Sequence, residues 1–267
     1  MSTGASPAPE AVSGARPAPA AKRRARRPSV ALTAFALRAC FPRKRRWGLL
    51  LPCALALLFG LLARSDSGTP AEGFAHVAAN GLFGLLLPIA CLVIGDAVMG
   101  ADVRAGTLPF TWLSPVPFRV IAVARWAAGT LVAWVTIVPA FALAAVLAGV
   151  PEAAAPAAVS TVVGASAYVA VFVLVGCATR RATVWSLGVV LLGEGLVATA
   201  LVSIAHLSPR WLAFAVFGGL TDVPTDLVRD GLPRGWGAAV QLVVVTVVCL
   251  VLSGWRLAHL RLSGSSD

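Results

Sequence analysis

The residues able to do chemistry are few and scattered. Asp222, Asp226 and Asp230 recur every four residues and would share one helix face. Intramembrane prenyl-transfer sites use two facing acidic clusters, because magnesium and pyrophosphate need several oxygen ligands held together. Here the sequence has no second cluster. Pro224 interrupts the first and Gly231 ends it, so these carboxylates read as a solvated loop. The three histidines, His76, His206 and His259, fall near two different span ends and in the C-terminal tail, a spacing that does not build one catalytic constellation. Neither HExxH nor GxSxG occurs. Lys22 and Lys44 are the only lysines, and neither follows a glycine-rich loop, so the chain has no P-loop for ATP. Cys40, Cys53, Cys91, Cys177 and Cys249 form no CxxC pair and read as small apolar residues. No catalytic residue, metal site or cofactor is assigned to this chain.

Three polar residues stand inside long apolar runs: Glu194, Gln241 and Asp96. A carboxylate at the centre of a bilayer costs about 2.5–3.5 kcal/mol on insertion scales. Glu194 must therefore face protein or a water-filled cavity, or be protonated. It reads either as the wall of a translocation path or as one end of an interhelical hydrogen bond. For Gln241 packing is the preferred reading over the path. Asp96 reads as pairing with Arg104 or capping nearby backbone in preference to a transport role.

The densest polar segment is residues 100–126, GADVRAGTLPFTWLSPVPFRVIAVARW. Pro115 disfavours helix at Ser114, and Pro117 does the same at Val116. A helix should stop near Leu113 and restart at Pro117, since proline suits a first turn. Thr107 can cap a short helix running to Leu113, about 10 Å long. Arg119 and Arg125 fall on the restarting helix and should mark the headgroup level. Such a rigid knob could pass a push from a soluble partner into both flanking spans. An ordinary tight connector fits the local sequence equally well.

These residues need a scaffold, and the composition names its class. The chain has 267 residues, 58% hydrophobic and 12% charged, against about a quarter charged in a soluble domain. Apolar runs of about 20 residues predict a polytopic all-α membrane protein, and the alternation of a closed barrel is missing. Six spans are expected, at 47–63, 78–98, 126–147, 159–178, 183–204 and 236–252. An N-terminal interfacial helix is expected over 29–41, where Val30, Leu32, Phe35, Leu37 and Phe41 precede Pro42 and a basic run. Between 206 and 235 the apolar stretch 211–220 is too short to cross, and reads as one or two short helices dipping into the outer leaflet. The organisation is a disordered basic tail over 1–28, a membrane domain over 29–261 and a short tail over 262–267.

The net charge of +11 could suggest nucleic acid, but its placement argues for a membrane anchor. Of 22 Lys and Arg residues, only Arg64, Arg210, Arg229 and Arg234 fall on the outer side of a six-span topology. The others lie before the first span, in the 99–125 and 179–182 loops, or in the C-terminal tail. The excess of basic residues marks the cytosolic face, which puts both termini inside, and the basic stretch before the first span also attracts anionic lipid.

With this topology in place, the 100–126 segment resembles the cytosolic loop of permease subunits of ABC type-2 transporters. In that family an acidic residue and three more residues are followed by Gly-Thr-Leu, then a Ser/Thr-Pro-Val step, then two basic residues six apart. Here those positions are Asp102, Gly106, Thr107 and Leu108, then Ser114, Pro115 and Val116, then Arg119 and Arg125. The interfacial helix, the six spans, the re-entrant segment and the Trp255-Arg256 tail are similar to that family as well. Asp102 stands alone where the family's loop is richer in acids, and Pro109 stands where Glu is common. The resemblance implies a transport subunit in a bacterial plasma membrane, an exporter, with no ATP site of its own. ATP and Mg would bind a separate cytosolic ABC ATPase subunit that docks on the loop, by shape and apolar contact more than by salt bridges. It also implies a second permease subunit, identical or a sibling. A membrane-anchored regulatory or assembly protein without transport activity is the alternative.

Overall fold

The computed structural model describes residues 33–34, 37, 46–65, 69–100, 116–179, 182–188, 190, 192, 205–221 and 227–259. Every regular element among them is helical. The elements are α1 (Arg46–Arg64), α2 (Pro70–Val98), α3 (Phe118–Leu147), α4 (Ala154–Ala178), α5 (Ala182–Gly188), α6 (Pro209–Leu220) and α7 (Trp236–His259). Among the described residues, four stretches are long and apolar enough to cross a membrane: Pro70–Val98, Phe118–Leu147, Pro151–Ala178 and Trp236–His259. The shorter α1 is apolar too. Of the expected fifth span, α5 and residues 190 and 192 are described. The 1–28 and 262–267 tails and most of the interfacial helix lie outside the described residues. Within 29–41, Thr33, Ala34 and Leu37 are helical, and Leu37 packs against the core.

Helix starts come earlier than the apolar runs predict, for local reasons. Thr69 opens α2 with a capping box: its hydroxyl accepts from the Glu72 N–H at 3.3 Å, and the Glu72 carboxylate accepts from the Thr69 N–H at 3.4 Å. Pro70 follows in the first turn, where its missing N–H costs nothing. Residues 70–77, expected as loop, are therefore helix. The expected loop at 148–158 shrinks as well. Gly149 takes φ +87°, so Val150 N–H reaches the Ala145 carbonyl and Gly149 N–H the Val146 carbonyl, both at 3.0 Å. This pattern closes α3 tightly, and a single 3-10 turn at Pro151–Ala153 leads straight into α4.

Inside α2 the helix widens into π turns at Ala78–Leu86, with Leu87 N–H bonded to the carbonyl of Leu82 five residues back. Pro88 follows, cannot donate, and would crowd the carbonyl four residues earlier. Widening the preceding turns relieves that conflict. A second π turn occupies Asp96–Gly100.

Side-chain contacts set the directions of the helices. Cys53 bonds the Thr136 carbonyl, and Gly60 lies against Ala144, so α1 and α3 run parallel. Trp126 bonds the Ser166 carbonyl and Trp134 the Val162 carbonyl, so α3 and α4 are antiparallel. Leu87 and Gly95 meet Gly164 and Phe172, so α2 runs parallel to α4. Gly254 of α7 rests on Arg119, at the start of α3. One end of the bundle thus holds the ends of α2, α4 and α7 and the start of α3; the opposite end holds the α3–α4 turn and the start of α7.

α4 is the central helix and packs against α2, α3, α5, α6 and α7. Small residues set these spacings, as expected where lipid removes the hydrophobic drive for helix association. A Cβ on Gly95 would fall 2.6 Å from Phe172 Cβ, and one on Gly164 2.8 Å from Ala213 Cβ. At the opposite end Phe83 of α2 meets Phe141, Phe214 and Phe217 with ring centroids at 5.6, 6.2 and 5.8 Å. Residues 212–217 of α6 are all buried, so this short helix is wedged into the bundle on every side.

Candidate coupling site

The bundle end that faces the 101–115 segment is built by the last turn of α2, the first turns of α3 and the end of α7. α2 arrives with a π turn at Asp96–Gly100. α3 begins immediately after Pro117, which takes φ −57° and ψ 136°, the extended backbone that lets a helix start fresh.

Arg125, two turns into α3, is the residue that joins them. It is 7% exposed, and its Nη1 donates to the Val98 carbonyl at 2.8 Å. A guanidinium is well suited to this position because it offers several donors to backbone oxygens. The sequence reading places Arg125 at headgroup level; its side chain turns inward, toward α2. Arg119, one and a half turns earlier, is exposed, and its Cα and Cγ lie against Gly254 of α7. A Cβ on Gly254 would sit 3.1 Å from Arg119 Cγ, so α7 approaches the start of α3 closely.

The inward turn of Arg125 has a sequence signal. It shares a helix face with Ile121, Ala122, Ala128 and Val132, all buried. A charge on the buried face of an apolar helix must find an acceptor. The Val98 bond does not depend on side-chain type, because Val98 contributes its backbone carbonyl.

The other sequence-derived residues are placed as follows. Asp96 begins the π turn of α2 and is half-buried near the same end. Asp102, Gly106, Thr107, Leu108, Ser114 and Pro115 lie outside the described residues, as does Glu194. Gln241 stands in the second turn of α7, toward the opposite end, where its Nε2 donates to the His206 carbonyl at 2.7 Å. It ties α7 to the segment before α6 and is not brought together with Asp96. Asp230 is exposed, while Asp222 and Asp226 lie outside the described residues. Of the histidines, His76 and His259 are exposed, and His206 is half-buried beside Gln241.

At the opposite end Trp211 is flanked by two cations, with Arg210 Cζ at 5.2 Å and Arg229 Cζ at 5.6 Å from the ring centroid. Each contributes about 0.5–1 kcal/mol at a partly exposed position. The Arg210 guanidinium also lies over Gly84, where a Cβ would come within 2.8 Å of it. The wide turns of α2 thus admit a long side chain from α6.

No protein-family model matches this chain, and no curated protein matches it.

Proposed function

We propose that this chain is a permease subunit of an ABC type-2 transporter, an exporter of a bacterial plasma membrane driven by a separate cytosolic ATPase. The Arg125–Val98 bond carries the reading. The two helices that flank the loop are fastened to each other within two turns of it. A push on residues 101–115 would therefore move α2 and α3 together, and α4, packed on both, would follow. Without such a tie, each helix could yield separately and the push would dissipate.

Six spans and cytosolic termini belong to the same proposal. α4 ends at the loop end of the bundle, while His206, bonded to Gln241 near the start of α7, lies at the opposite end. The chain between them must connect the two ends. Residues 179–205 would reach about 40 Å as helix, enough for one crossing. With α1, that supports six. Basic residues before α1 and after α7 then mark the inner face.

In this mechanism ATP binding closes the partner ATPase pair, and the loop, with Asp102, Gly106, Thr107, Leu108, Ser114, Pro115 and Arg119, is the dock. The closure biases the bundle between two states, by as much as the ATPase binds one loop position better than the other. A second permease subunit completes the pathway, with Glu194 as its candidate wall. The test is co-expression with a candidate ATPase, isolation of the complex, and measurement of ATP hydrolysis in lipid. Failure to form a complex with any candidate ATPase would exclude the proposal.

A further inference from the structure

The last helix has two chemically different faces. Its buried side carries Ala238, Ala239, Thr246, Ser253 and Gly254 beside Leu242 and Leu257. Its exposed side carries Val240, Val243, Val244, Val247, Val248 and Val251. At 3.6 residues per turn these valines span an arc of about 140°. Between Trp236 and Trp255 there is no charged residue. The polar groups in that stretch are turned away or bonded: Gln241 to the His206 carbonyl, Thr246 to Leu242 and Ser253 to Cys249 of the same helix.

Both tryptophans lie on the valine side, 69% and 55% exposed. Their separation along the axis is about 28 Å at 1.5 Å per residue. That matches a hydrocarbon core of about 30 Å, and tryptophan collects at both membrane–water interfaces. Polar chain begins just outside each: Arg234 before Trp236, and Arg256 and His259 after Trp255, with the His259 ring 4.7 Å from the indole of Trp255.

We infer that the valine face of α7 is covered by lipid acyl chains, with Trp236 and Trp255 at the two headgroup levels, and that any second copy or sibling subunit binds elsewhere. Helices that pair in membranes bring small residues to the contact, so that their backbones approach. α7 turns most of its small residues inward, with Gly237 and Leu252 exposed at the two ends of the face, and from Val240 to Val251 every exposed position is a valine. Another helix laid on this face would be held off by the valine methyls and would find no hydrogen-bond partner there. Acyl chains need neither. The inference rests on the chain being embedded in a bilayer, and it does not depend on a partner ATPase.

The test places the photoreactive residue p-benzoylphenylalanine at Val244, Val247 or Val251 of the full-length chain. The protein is reconstituted into vesicles of phosphatidylethanolamine and phosphatidylglycerol, irradiated, and analysed by gel and intact mass. Phospholipid adducts at all three positions, without a cross-linked dimer, are expected. A dimer band, or the absence of lipid adducts, overturns the inference. A second measurement needs only conservative variants. In vesicles brominated near the headgroups, Trp236→Phe and Trp255→Phe should each remove a strongly quenched component of the fluorescence; in vesicles brominated near the chain ends, they should remove a weakly quenched one. The reverse order overturns the inference. A chain that alkali strips from membranes would overturn the bilayer reading itself, an outcome distinct from a dimer cross-link in an embedded protein.

Discussion

The Arg125 guanidinium and the Val98 carbonyl, 2.8 Å apart, join the two helices on either side of residues 101–115. The bond pairs a full charge with a backbone carbonyl at a buried position. Charged hydrogen bonds of this kind contribute about 1.5–3 kcal/mol. Arg125→Leu should therefore lower stability by about 2 kcal/mol, read as the midpoint of thermal unfolding in detergent. Arg125→Lys keeps the charge and one usable donor, and should fall between. A leucine variant as stable as the parent would remove the proposed tie.

α1 is held to α3 by the absence of a side chain. A Cβ on Gly60 would lie 2.5 Å from the Ala144 carbonyl oxygen and 2.8 Å from its Cα, and backbone cannot rotate away. Gly60→Ala should cost about 1–3 kcal/mol, the range for overpacking. Gly188→Ala, at a position with open space, is the control and should be neutral or slightly stabilising. Equal effects at the two sites would contradict the packing of α1 on α3.

Phe83 is the hub of the aromatic cluster joining α2, α3 and α6. Phe83→Ala opens a cavity between three helices and should cost about 3 kcal/mol. Leu61→Ala on the exposed side of α1 should cost much less, since that residue is 52% exposed. Chemical denaturation of the two variants in the same detergent makes the comparison. A similar loss for both would place the core elsewhere.

Gln241 separates packing from transport. Its bond goes to the backbone carbonyl of His206, so Gln241→Leu should cost about 1 kcal/mol while His206→Ala leaves the bond intact. If Gln241 lined a path instead, transport would fall in a variant whose unfolding midpoint had not moved.

The all-helical architecture was legible in the apolar runs, and so was a short helix in the 211–220 stretch, though it is expected in the outer leaflet and is instead buried among the other helices. Helix starts were harder. The Thr69–Glu72 box precedes a weakly apolar stretch, so hydropathy ignores it, and the alanines after Pro151 resemble a loop until Gly149 is seen to close α3. Arginine near a span end usually snorkels, so the inward turn of Arg125 was not expected, although its phase with Ile121, Ala128 and Val132 pointed inward. The π turns of α2 could be suspected from Pro88 but not located, since they depend on how Arg210 and the phenylalanines pack around Gly84. The motif residues of the loop, and Glu194, were named from sequence alone.

The central claim is that an external ATPase docks on the 101–115 loop and moves α2 and α3 as one body. The most direct measurement isolates this chain with a candidate P-loop ATPase in lipid vesicles and records complex formation, ATP hydrolysis and transport for the parent and for Gly106→Glu and Leu108→Glu. The parent is expected to form the complex and couple hydrolysis to transport. The loop variants are expected to insert normally, and to lose transport by at least tenfold while hydrolysis continues or the complex weakens. Unchanged transport in both variants, or no complex with any ATPase tested, would contradict the account.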